Sequence, residues 1–282
     1  MLKLVEKIKN QTGTAFAKAL GAWPRPVSEC DLAEAWLGAL RGSPDLYEDG
    51  WYTPPPHGMV TLFGKKADRY KRICESSFRP EPMWPRQDLI YDSEDILAAY
   101  ASPVHKATNL IGDFGLTLYA GPSQDIRAHC VNVLQTSLHI AQNARVGMGF
   151  NELYQFGIEY GASQGLRNDI ASPSDPTATN IGHSIPLSWA GDTAHEALAR
   201  AKNFAEITHT LRYGRQFVNG VETQRIEENM AFTVEPRFSS GSLPQAWFHL
   251  TVIFENGNRR IVHGFRPVFE TCGLDDLSRL LP

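Results

Sequence analysis

The sequence predicts an α+β fold, and two observations carry the prediction. Stretches with apolar residues at helical spacing are interspersed with short extended runs, and the chain comes near its end to a pair of strands within Ala231–Gly257, AFTVEPRFSSGSLPQAWFHLTVIFENG. In that pair Phe232 and Val234 alternate with polar neighbours before Pro236. Phe248, Leu250, Val252 and Phe254 then alternate with His249, Thr251 and Ile253, of which only Ile253 breaks the polar phase. Alternation with period two, bounded by Ser, Gly and Pro, is the pattern of paired β-strands. One strand delivers an acid, Glu235, and the other an imidazole, His249. In a hairpin whose like faces meet, the two converge on one point, as a metal site requires.

The other elements follow in order. Leu2, Leu4, Val5, Ile8, Phe16 and Leu20 give residues 2–20 an amphipathic helical pattern, which Trp23-Pro-Arg-Pro26 ends. Ser28 caps a second helix, in which Leu32, Ala35, Trp36 and Leu40 share a face. A loop rich in Gly, Pro and aromatics leads to a strand at MVTLF, 59–63. Residues 64–88 are basic, Pro-dotted and weakly periodic, so 64–108 reads as an irregular insertion within a single domain, 1–282, and not as a second domain. NLIGDFGLTLY, 109–119, is strand-like and ends in the turn Ala120–Ser123. Helices follow over 126–145, closed by Gly147-Met-Gly149, over 151–164, and over 193–212.

Composition narrows the function. The 27 basic and 31 acidic residues leave a net charge of −4, so nothing draws the chain to nucleic acid or an anionic membrane. No apolar run has the length of a membrane span, and MLKLVEKIKNQ is too charged for a signal-peptide core. The four cysteines are scattered without a CxxC pair, as idle thiols in a cytoplasmic protein are.

Several residues could carry chemistry, and each also has an ordinary reading. Asp113 stands beside Phe114-Gly115 as a turn acid would. Asp125 opens a helix, where the dipole favours an acid. His183 follows a glycine in a loop. Glu235 ends a strand, and His249 lies on an alternating one. Their joint order is more informative than any one of them.

In that order the sequence resembles the pita-bread metallopeptidases, the family of methionine aminopeptidase, proline dipeptidase, aminopeptidase P and creatinase. VSECDLAEAWLGAL resembles the family's early helix and GDFGLTLYAGPSQDIR its paired-aspartate hairpin. VNVLQTSLHIAQNARVGMGFNELYQFGIEYGASQGL resembles the helix–turn–helix that follows, TNIGHSIPL the metal-histidine segment, and ENMAFTVEPRF the first-glutamate strand. The five fragments keep the family order over about residues 1–270. The resemblance implies a fold in which two pseudo-equivalent halves share a curved antiparallel sheet around a central metal site. It also implies that Asp113, Asp125, His183 and Glu235 are ligands, and that homodimers are common among relatives.

The sequence departs from the pattern at three places. Asp113 and Asp125 are twelve residues apart, one more than the family spacing, and a one-residue slip inverts the face of a strand. His249 stands where the family has its last glutamate, whose two oxygens bridge two ions. A neutral imidazole offers one lone pair and does not bridge. The set Asp113, Asp125, His183, Glu235 and His249 is therefore expected to hold one divalent ion per chain, Fe(II), Mn(II) or Zn(II). The family's further histidine is Ala190 here, with His195 nearby as a catalytic candidate beside Asp113. His57 and His105 are candidates for the family's upstream histidine, and Arg237 could meet a substrate carboxylate. The aromatic loops Trp51–His57 and Phe78–Trp84 could line the pocket mouth. Three functions are open: a metallohydrolase of a small amide, short peptide or amino-acid derivative acting through metal-activated water; a mononuclear non-haem iron enzyme with oxidative or lyase chemistry; and a non-catalytic module with a relict site.

Overall fold

In this computed structural model, which describes residues 1–74, 77–169 and 174–282, helices pack against small antiparallel sheets of three strands each. The chain opens with helix α1 (Leu2–Leu20) and helix α2 (Glu29–Arg41). The Ser28 hydroxyl accepts the Asp31 N–H at 2.9 Å, the cap expected from the sequence and worth about 1 kcal/mol. Strands β1 (Met59–Gly64), β2 (Ile96–Ala101) and β3 (Phe114–Leu118) form the first sheet in that order. Its middle strand falls inside 64–108. The expected irregular insertion is therefore only partly irregular: short 3₁₀ turns between Lys66 and Met83 give way to a fully buried strand. ILAAYA is apolar on both faces and shows no alternation, which hid it from a period-two reading.

Helices α3 (Gln124–Asn143) and α4 (Phe150–Ser163) pack on each other, and short strand β4 (Arg167–Asn168) follows. The helix expected over 193–212 is two, α5 (Ala194–Arg200) and α6 (Phe204–Tyr213). Asn203 interrupts it, because its side chain accepts the Glu206 N–H at 3.0 Å and restarts the helix.

The stretch 231–257 holds more than one hairpin. Strands β5 (Met230–Val234), β6 (Arg237–Ser240), β7 (Leu243–Trp247) and β8 (Leu250–Glu255) occupy it, and β9 (Asn258–Val262) follows before helices α7 (Arg266–Thr271) and α8 (Asp275–Ser278). A local hairpin, β6–β7, sits between the two outer strands, and β5 pairs with β8 through Phe232↔Val252 and Val234↔Leu250. One step beyond that last pair, Glu235 faces His249. A bridge between Leu116 and Phe248 and a bond from His249 N–H to the Gly115 carbonyl (2.9 Å) join the first sheet to the strands after 230. Gly115 permits the approach: a Cβ there would come within 2.4 Å of the Trp247 ring. All four cysteines are free, and no helix among the described residues is long and apolar enough to cross a membrane.

Candidate metal centre

Four side chains converge where the sheets meet. Asp113 immediately precedes β3, Glu235 follows β5, and His249 lies between β7 and β8. His183 comes from the segment that runs beside β5, held by the Ser184–Phe232 bridge. The glycine before it is required by that contact. Gly182 has φ +157°, and a Cβ there would meet the Thr233 carbonyl oxygen at 2.0 Å.

Asp113, His183 and His249 are buried, and one ligand atom from each lies within 4.8 Å of the others. His183 Nε2 is 3.6 Å from Asp113 Oδ2 and 3.4 Å from Glu235 Oε1, and His249 Nε2 is 3.1 Å from Glu235 Oε2. Glu235 is the member that reaches solvent, its side chain 15% exposed against 5% or less for the other three. Thr233 steers it: this hydroxyl accepts the His183 N–H at 2.9 Å and donates to Glu235 Oε1 at 3.1 Å.

Titration follows from burial. Desolvation pushes Asp113 up to about 6 against the Trp51 hydrogen bond and the charges of Arg215 and Lys9. Burial pushes Glu235 up to about 7, with the Asp113 charge adding to the rise. Burial also holds both imidazoles well below their ordinary value. Two acids that resist ionisation and two imidazoles that resist protonation leave the site without compensating charge of its own making.

The donors fit a divalent cation. Among the described residues Asp113 Oδ2 and His249 Nε2 are buried without a hydrogen-bond partner, although His249 Nε2 lies only 3.1 Å from a Glu235 oxygen. The two groups are near each other but misaligned for a hydrogen bond, as ligands aimed at a common third point are. His183 is set for the same task. Its Nδ1 lies 2.9 Å from the Ser184 carbonyl, which places the proton on Nδ1 and the lone pair on Nε2. Two imidazoles and carboxylates suit Fe(II), Mn(II) or Zn(II).

The other expected site residues lie elsewhere. Asp125 is exposed in the first turn of α3. After β3 the chain turns at Ala120–Ser123 straight into this helix and forms no returning strand, so nothing carries Asp125 back to Asp113. His57 is exposed and pairs with Asp49 at 2.6 Å. His105 Nδ1 lies 3.0 Å from the Thr108 hydroxyl, and His195 Nε2 lies 3.1 Å from the Trp189 carbonyl. Among the described residues none of these three histidines bonds to the cluster or stacks on it. Arg237 does border it, two residues after Glu235, with its guanidinium over the rings of Phe78 (4.3 Å) and Trp247 (4.9 Å).

Two contributors lay outside the family motifs. Lys9, fully buried in α1, donates to the Asp113 carbonyl and stands 3.2 Å from His249 Nδ1. Burial lowers its amine to about 7 against the pull of Asp113 and Glu235. Its signal was its position: Lys9 shares the buried stripe of Val5, Ile8, Thr12 and Phe16, where an unpaired lysine is rare. Trp51 donates Nε1–H to Asp113 Oδ1 at 2.7 Å, fixing the carboxylate.

The sequence profile of metallopeptidase family M24 matches residues 3–263. No curated protein sequence matches the chain. Among solved structures, the X-Pro aminopeptidase from Thermotoga maritima superposes with a TM-score of 0.62 at 13% identity, over 93% of this chain and 60% of that one. The prolidase from Pyrococcus furiosus gives 0.60 at 14% identity, over 93% and 64%. An X-prolyl aminopeptidase from Caenorhabditis elegans, described as a cytosolic enzyme with a di-nuclear active site, gives 0.56 at 10% identity, over 89% and 35%. The chain thus spans less than two thirds of the length of these structures. The matches establish the pita-bread fold that the motifs implied.

Proposed function

The chain belongs to metallopeptidase family M24, and from that premise we propose that it is a metal-dependent hydrolase of short peptides or amino-acid amides, with one divalent ion per chain. Asp113, His183 and His249 would hold the ion, which when bound supplies Lewis-acid polarisation of the scissile carbonyl. The observation that carries the reading is the pair of buried, partnerless donor atoms, Asp113 Oδ2 and His249 Nε2, facing the same point as His183 Nε2. What borders the site supports the reading of a single ion. Asp125 is remote, an imidazole replaces the bridging acid, and the Lys9 amine stands behind His249.

Glu235 is the group that moves a proton. It reaches solvent, it is held near pKa 7, and the Thr233 hydroxyl orients one of its oxygens. The base role expected of Asp113 passes to it, because Asp113 is 1% exposed and bonded by Trp51. His195, tied to the Trp189 carbonyl, has no part in the reaction.

Metal analysis of purified protein is expected to find one ion per chain, and hydrolysis of X-Pro dipeptides to stop with chelator and return with Mn(II). Two firmly bound ions, or turnover indifferent to chelator, would overturn the reading. The donor set of two imidazoles and one carboxylate also favours a second reading, a mononuclear iron enzyme. Oxygen uptake by the Fe(II)-loaded protein with the same substrates, against equal turnover under argon, separates the two.

A further inference from the structure

The wall around the cluster is built of aromatic rings, and three guanidiniums lie on them. From His183 outward the rings run to Trp51 (6.2 Å between centroids), from Trp51 to Tyr52 (5.6 Å), and from Tyr52 to Tyr100 (5.5 Å). Tyr100 in turn stands 6.3 Å from the His249 ring. Arg215 lies 4.3 Å over Trp51, Arg79 lies 4.1 Å over Tyr52, and Arg237 lies over Phe78 and Trp247, both of which neighbour Tyr100. Arg215 is therefore one ring, Trp51, from His183, and by the same ring contacts Arg79 and Arg237 are two rings from the cluster.

Stacking occupies the faces of these guanidiniums and leaves their edges for hydrogen bonds. Two of the three are poorly served. Arg79 donates Nη1–H to the Thr53 carbonyl at 2.7 Å, while among the described residues its Nε and Nη2 are buried without a partner. Arg215 is buried, donates Nη2–H to the Arg212 carbonyl at 3.3 Å, and has a buried Nε with no partner among the described residues. Among the described residues no carboxylate lies within 4.0 Å of either. A buried N–H on a permanent cation is costly to leave unpaired, more so than a neutral one. One terminal carboxylate would satisfy one such fork. Two guanidiniums with partnerless N–H groups, beside the third, outnumber the two acids of the cluster.

Resting on the hydrolase reading above, we propose that the substrate carries two carboxylates, an amide or short peptide of an acidic amino acid, with Arg79 and Arg215 each receiving one of them. The fork of each arginine takes a carboxylate through two parallel N–H bonds, and the ring beneath holds the fork in plane.

Equilibrium binding tests this without turnover. Glutarate and butyrate are titrated into the full chain with chelator present, and Trp51 beside Arg215 serves as the fluorescent reporter. Glutarate is expected to bind at least about tenfold more tightly than butyrate, and the preference to collapse in both Arg79→Gln and Arg215→Gln. Arg→Lys at each position keeps the charge without the fork and is expected to recover only part of it. Thermal melts confirm that each variant is folded. Equal affinity for the two acids in the wild type, a preference that survives both Gln variants, or inorganic phosphate displacing glutarate at lower concentration would each overturn the proposal. Loss of glutarate binding leaves the metal reading intact, and absence of a metal ion leaves the binding result intact, so the two can fail separately.

Discussion

The strands on the two sides of the cluster contribute unequally. The strands after residue 230, with the segment they hold at 181–185, supply three of the four converging side chains, His183, Glu235 and His249. The first sheet supplies only Asp113, and its surroundings supply what holds that acid: the Trp51 indole and the Lys9 amine. The difference starts at one turn. β5 and β8 pair in register up to Val234↔Leu250 and deliver two facing site residues, Glu235 and His249, whereas the chain after β3 enters α3 at once and has no strand to bring a second acid to the cluster. A site assembled mostly by one half should depend on that half for its ion and on the other for orientation.

The hardest test of this asymmetry is removal of a ligand from the richer half. His249→Ala or His183→Ala is expected to lower metal affinity by at least about a hundredfold and to abolish metal-dependent turnover. Calorimetric titration with Mn(II) measures it. Retained stoichiometric binding in both variants would mean that the ion sits elsewhere.

A smaller effect is expected on the poorer side. With Nε2 committed to an ion, the His249 proton is on Nδ1 and Lys9 must accept it as a neutral amine, which its position near pKa 7 allows. Lys9→Met removes that acceptor and is expected to weaken Mn(II) binding roughly tenfold, since outer partners of metal histidines are worth about ten- to a hundredfold. Lys9→Gln offers an amide oxygen to the same proton and should restore it. A variant that instead binds two ions would show that Lys9 serves as a fixed second cation.

Protons compete with the ion on both sides. Asp113 keeps its proton up to about pH 6 and Glu235 up to about pH 7, above the ordinary carboxylate range, because both are buried. As pH falls through these values each acid becomes neutral and loses its attraction for a cation. Mn(II) affinity is therefore expected to be level above about pH 7.5 and to fall by roughly tenfold per pH unit for each proton displaced below it. Affinity independent of pH between 5 and 8 would remove both acids from the site.

Much of this was legible in the sequence, for identifiable reasons. His183, Glu235 and Asp113 stand in motifs whose neighbours are themselves constrained, such as Gly182 against the Thr233 carbonyl and Gly115 against Trp247. His249 was legible from the register, since alternation on two paired strands fixes which residues meet. Strand β2 was not legible, because a strand buried on both faces has no alternation. Lys9 was hidden for the opposite reason: it sits inside a regular helical stripe, where one charged residue reads as a solvated exception until the packing buries it. Arg79 and Arg215 come from regions that no periodicity describes, and only the stacked rings reveal that they lie on neighbouring members of one aromatic wall.

Asp125 gives the mildest prediction and the most direct comparison of the two halves. It occupies the place of a family ligand by motif, twelve residues after Asp113, yet it lies exposed in the first turn of α3 beyond the Ser123 cap. There an acid is favoured by the helix dipole alone, a contribution of about 0.5 kcal/mol or less at an exposed position and smaller still in salt. Asp125→Ala is expected to shift the melting temperature by about a degree or two and to leave Mn(II) stoichiometry, affinity and turnover at wild-type values. If Asp125→Ala abolished metal binding while Asp125→Asn kept the helix and the melting temperature, the loss could not be a capping effect. α3 would then have to unwind at its first turn for the ion to bind, and the poorer half would supply a second ligand after all.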